Sequence, residues 1–124
     1  MSEWTPISLK DLEEEIRDGE SRLKGKLLDF WRLVKIVPEK WEEKTYGKEG
    51  GGFWVVAICG KRVIWFNDIE DGFNISPYKK YGRIEEYYCD QDGLDEIIIR
   101  FFNAAKSDGQ LPWQLGAPQE IPWL

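Results

Sequence analysis

The chain contains no histidine, and that absence decides much of what its side chains can do. Without imidazole there is no serine–histidine or cysteine–histidine pair, and the commonest metal ligand is missing. What remains for chemistry is carboxylate. Asp68, Glu70 and Asp71 share one loop, Glu85 and Glu86 are adjacent, and Asp90-Gln91-Asp92-Gly93 resembles the opening of a calcium loop. A calcium loop needs oxygen ligands at alternate positions and a closing glutamate. Gly72 breaks the first run, and Leu94 stands where the second needs its third ligand, so no metal site is expected. Paired carboxylates hydrolyse glycosides when held across a cleft. With 23 acids in 124 residues, however, neighbouring acids arise by chance and mark no such pair. Cys59 and Cys89 lack Cys-x-x-Cys spacing and read as small buried apolar residues. No cofactor is expected.

The acids are better suited to binding. Seventeen lysines and arginines against 23 aspartates and glutamates give a formal charge of −6, which repels phosphate backbones and attracts a cationic protein. Rings stand beside the acids: Trp65 and Phe73 flank the Asp68–Asp71 run, and Tyr87 follows Glu85 and Glu86. Charges so placed would steer a basic partner that the rings would hold; the alternative is an amphipathic sheet whose acids only keep it soluble.

These residues need a scaffold, and the length suits one domain. Ser8 caps a first helix carrying Leu9, Leu12 and Ile16 on one face, with acids at 11 and 13–15 near its positive end and Gly19 at its close. Leu27–Val37 fits a helical stripe and a β-branched strand alike; the reading adopted is a short helical turn near Lys26–Phe30, then a strand ending at Pro38. Gly47–Gly52 is a loop without the Gly-Lys-Ser/Thr ending of a phosphate loop. Two apolar runs, Phe53–Cys59 and Arg62–Asn67, flank Gly60-Lys61, which predicts a β-hairpin with a type II′ turn. That turn pairs Cys59 with Arg62, Ile58 with Val63, Ala57 with Ile64, Val56 with Trp65 and Val55 with Phe66. Residues 68–77 read as an acidic loop, and Arg83–Cys89 as an edge strand. Asp92 caps a last helix carrying Leu94, Ile97, Ile98, Phe101 and Ala105, which Gly109 stops. The stretch 110–124, with Pro112, Pro118 and Pro122, reads as an irregular tail whose Leu and Trp residues need cover from the domain or from a neighbouring copy. The predicted class is α+β: an antiparallel sheet of about four strands, central hairpin 53–67, with N- and C-terminal helices packed on it. The start, Met1-Ser2-Glu3-Trp4-Thr5-Pro6, is not a signal peptide, and no apolar run approaches the ~20 residues that span a bilayer, so a cytoplasmic protein is expected.

Gly51–Ala57, Val63–Asn74, Gly82-Arg83-Ile84 and Gln91–Leu94 together resemble a family of uncharacterised bacterial proteins. Those proteins are similar to the immunity proteins of polymorphic-toxin and contact-dependent growth inhibition systems. The resemblance runs from about Trp31 to Phe102. It implies a non-catalytic protein that binds a cognate basic, nuclease-like toxin domain, as a monomer or homodimer, without nucleic acid or membrane. The implied contacts are Asp68, Glu70, Asp71, Glu85 and Glu86, with Trp65, Phe73 and Tyr87 as anchors. The alternatives are a small hydrolase using paired carboxylates in an aromatic cleft, and a structural homo-oligomeric subunit.

Overall fold

A computed structural model describes residues 4–107 of the chain. Its first helix, α1 (Leu9–Glu20), opens at Ser8, whose extended backbone lets Oγ accept the Asp11 N–H at 3.1 Å. Ser8→Ala removes that bond and is expected to cost about 1 kcal/mol, read as a lowered urea midpoint with an unchanged slope. Gly19 does not end the helix, which continues to Glu20. A Cβ at Gly19 would lie 2.4 Å from the Leu94 Cβ, so the glycine is there to let two helices approach closely.

The ambiguous stretch resolves as a full helix, α2 (Gly25–Val34), followed by strand β1 (Lys35–Trp41). This corrects the expected short turn with a strand beginning near Trp31. Phe30, Trp31 and Val34 are buried on one helical face, and the Trp31 indole donates to Glu20 at 2.5 Å. Burial of that stripe outweighs local β-preference. Pro38 lies inside β1, where an edge strand tolerates its missing N–H.

The remaining strands are β2 (Phe53–Cys59), β3 (Arg62–Asn67) and β4 (Gly72–Pro77), and the sheet runs β1-β2-β3-β4 with every pair antiparallel. The α+β architecture with helices from both ends of the chain is therefore present. Near the turn the β2–β3 register is as expected, Cys59 with Arg62, Ile58 with Val63 and Ala57 with Ile64. A shift then pairs Val55 with Trp65 and Trp54 with Phe66, in place of Val55 with Phe66 and Val56 with Trp65. The bulge puts Val56 and Ala57 into the same helix-side core, while Val55 and Ile58 serve the opposite one.

The helix-side core joins Leu12, Phe30 and Trp31 to Ile64, Phe66 and Phe73. Helix α3 (Leu94–Ser107) closes it with Leu94, Ile97, Ile98, Phe101 and Ala105. Asp92 does not cap α3. Its carboxylate takes Arg100 at 2.7 Å, and the Gly93 N–H is held instead by Glu96 at 2.7 Å. Behind the sheet a second core gathers Trp41, Phe53, Val55, Val63, Trp65 and Ile84.

Residues 78–92 cover that second core as an irregular strap. The expected strand at Arg83–Cys89 is absent; only Arg83 bridges, to Glu42. The fourth strand comes instead from Gly72–Pro77, within the stretch read as a loop. The reason is side-chain competition. Buried Asn74 donates to the Asp90 carbonyl at 3.1 Å and accepts the Asp90 N–H at 2.8 Å, and Ser76 Oγ donates to the Glu86 carbonyl at 2.5 Å. These bonds satisfy the strap's backbone without a ladder. Gly109 and the tail 110–124 lie outside the described residues. Among the described residues, no helix is long and apolar enough to cross a membrane.

Candidate protein-binding surface

The turn between β3 and β4 is fixed from below. Asn67 is wholly buried, and its Oδ1 accepts the Ile69 and Glu70 N–H groups at 3.0 and 3.1 Å. The Asp71 N–H closes the turn on the Asn67 carbonyl at 2.7 Å, leaving Asp71 left-handed at φ +66°. Glycine adopts that conformation more cheaply than aspartate.

The three acids of this turn then go three ways. Asp68 points inward. It accepts the Ile7 N–H at 2.7 Å, while the Trp54 indole donates to the Ile7 carbonyl at 3.2 Å, so the N-terminal arm is tied to the sheet. Burial pushes the Asp68 carboxyl above its ordinary value, against the bond from Ile7 and the charge of Lys40. Lys40 is itself pulled down by burial; its ammonium donates to the carbonyls of Gly50 and Gly52 at 3.2 and 3.3 Å and lies 5.1 Å from the Trp54 ring centre. Asp68 is thus an internal clamp and not a surface acid waiting for a partner.

Glu70 lies toward the strap, where its charge adds to burial in raising the Tyr87 hydroxyl. Asp71 faces α1. There the Glu15 carboxyl is raised first by burial, then by the charges of Asp71 and Asp18, with Arg22 partly offsetting them. Asp11, Glu14, Glu15 and Asp18 recur at spacings of three and four and line, with Ile7, a hollow of about 410 Å³. The result is an acidic ridge along α1, extended by Asp71. The sequence carried its signal in the i, i+3, i+4, i+7 pattern, but Asp11, Glu14 and Glu15 read only as favourable to the helix dipole and Asp18 went unread.

The other expected contacts separate. Glu85 and Glu86 are exposed on the strap, across the sheet from α1, and Glu86 accepts the Tyr88 hydroxyl. Trp65 and Phe73 are corrected: at 0% and 1% exposure they are core, on opposite sheet faces, and neither offers a ring to a partner. Trp65 packs on Phe53 at 4.7 Å and donates to Ser76 Oγ at 2.9 Å. Phe73 packs on Phe66 at 4.9 Å. Tyr87 is half-buried, with the exposed Tyr46 ring 4.3 Å away.

The run that resembled a calcium loop has an internal cation. Asp90 and Asp92 both accept from Arg100, at 3.0 and 2.7 Å. Among the described residues, no group of three or more Cys, Asp or Glu side chains could hold a metal ion. Cys59 is buried, which pushes its thiol up, whereas Cys89 is exposed and not the buried residue expected. Comparison with protein-family models, curated proteins and solved structures found no match to this chain.

Proposed function

We propose that the chain is a non-catalytic, cytoplasmic binding protein that neutralises a basic toxin domain, as an immunity protein does. The observation supporting this most directly is the crowding of like charge where Asp71 meets Glu15 and Asp18. A glutamate whose folded pKa is raised favours its protonated form in the fold. Its contribution to stability is present at low pH and is lost as pH rises from the ordinary glutamate range through the raised value. At neutral pH the fold therefore carries first the cost of burying the Glu15 charge, and then a repulsion from Asp71 and Asp18 that a cationic partner would relieve. A left-handed Asp71 in place of glycine adds to that cost.

A nuclease-like toxin presents the matching surface, because a cleft that takes phosphate must be basic. Acids arranged along the ridge would stand where phosphates otherwise lie. Asp71 is the residue of the resemblance that belongs to this surface, and Glu70 lies at its corner toward Tyr87. The test is co-expression with the toxin C-terminal domains encoded beside its gene. Rescue of growth is expected, with a complex that co-purifies and weakens as salt rises. Failure to rescue against every neighbour, together with substrate turnover lost on neutralising a carboxylate, would overturn the reading.

A further inference from the structure

We propose that the groove between α1 and the start of β1 docks a second copy of this chain. Lys35 pairs with Ala57 and Glu39 with Val55, so Ile36, Val37 and Pro38 all stand opposite Val56 in one bulge. Its apex, Val37, is 83% exposed, more than any other large apolar side chain among the described residues. Bulges re-aim side chains, and this one turns a valine into solvent. Val37 itself forms one wall of a hollow of about 410 Å³, whose other apolar lining is Ile16, Trp31, Ile36 and Pro38. Knob and hollow share one face, the arrangement that a two-fold contact requires: Val37 of each copy enters the hollow of the other.

Charge selects the occupant. The rim carries Glu13 and Glu20 with Arg17 and Lys35, and Lys35 lies 3.5 Å from Glu20. Two copies that each carry −6 repel through their acidic faces, but this rim is balanced. A two-fold axis can set its bases against the partner copy's acids. On α1 the rim residues 13, 17 and 20 occupy a different stripe from the ridge acids 11, 14, 15 and 18, so pairing leaves both ridges outward. Pro38 and the bulge also blunt the strand edge, which favours a closed pair over open-ended strand addition.

Sedimentation velocity on the full chain, at physiological salt and up to the solubility limit, tests this. A species of twice the 14.6 kDa monomer is expected. Val37→Asp should return it to monomer with an unchanged melting temperature, since Val37 is exposed. Arg17→Glu, which leaves the strand intact, should weaken the pair on the order of tenfold. Glu14→Gln, on the opposite stripe, should leave it dimeric. A monomer at every concentration overturns the proposal. So does a dimer that Val37→Asp leaves whole, including one that depends instead on residues 108–124. Toxin binding is a separate readout, which Val37→Asp should not alter.

Discussion

Replacing Asn67 by alanine is expected to remove about 3–5 kcal/mol of stability and to loosen the strap and the acidic turn together. One wholly buried amide serves both. Its Nδ2 donates to the Tyr87 hydroxyl and the Tyr88 carbonyl, each at 2.9 Å, and its Oδ1 holds the Ile69 and Glu70 N–H groups. Alanine leaves these four partners without their amide, and each group that stays buried and unpaired costs about 1–3 kcal/mol. Relaxation of the turn toward water recovers part of that, which keeps the total below the simple sum. Urea denaturation reads the loss, and amide exchange at Ile69 and Glu70 should quicken more than exchange in the centre of β2. Asn67→Asp keeps an acceptor for the turn but loses both donors to the strap and buries a charge, so it should be at least as damaging. A loss below about 1 kcal/mol, with Ile69 and Glu70 still protected, would show that the turn and strap stand without Asn67.

That residue also shows where the sequence stops being legible. The helical faces and the hairpin were readable because apolar spacing and a two-residue turn are local signals. The register was readable for the three pairs nearest Gly60-Lys61, and lost at a bulge that only the demands of two cores explain. Gly72–Pro77 looked like a loop because Asn74, Ser76 and Pro77 are poor strand formers. Two of those side chains are polar because they grip the strap, a partner whose position depends on the whole fold. The same grip kept Tyr87 and Tyr88 out of a ladder that their β-preference predicted.

The candidate contacts were scattered by one cause. A ring beside acids in sequence can face either side of a sheet, and Trp65 and Phe73 both turned inward. Asp68 was taken by the N-terminal arm, a contact between residues 61 positions apart that no local pattern announces. The α1 acids stood at helical spacing but were read only for the helix dipole; their meaning came from the approach of Asp71 across the fold.

Glu14→Lys and Glu15→Lys combined with Asp71→Asn should give a protein at least as stable as the parent and much poorer at meeting a basic partner. Two reversals and one neutralisation remove five of the six excess negative charges, all of them from one surface. Asparagine is chosen at 71 because it tolerates the left-handed backbone there. Stability should hold or rise by under ~1 kcal/mol, because the substitutions relieve repulsion between partly exposed carboxylates that water already screens. The gain should shrink as pH falls through the range in which Glu15 takes up a proton, since protonation relieves the same repulsion in the parent. Against the toxin domain that rescue identifies, the association rate at low salt should drop on the order of 100-fold, and the parent's salt dependence should flatten. A variant that is no less stable yet binds more slowly separates a working surface from a merely soluble one, a trade expected where function maintains strain. If the triple variant associated as fast as the parent, the ridge would be a solubilising face and the partner would have to be sought elsewhere on the molecule.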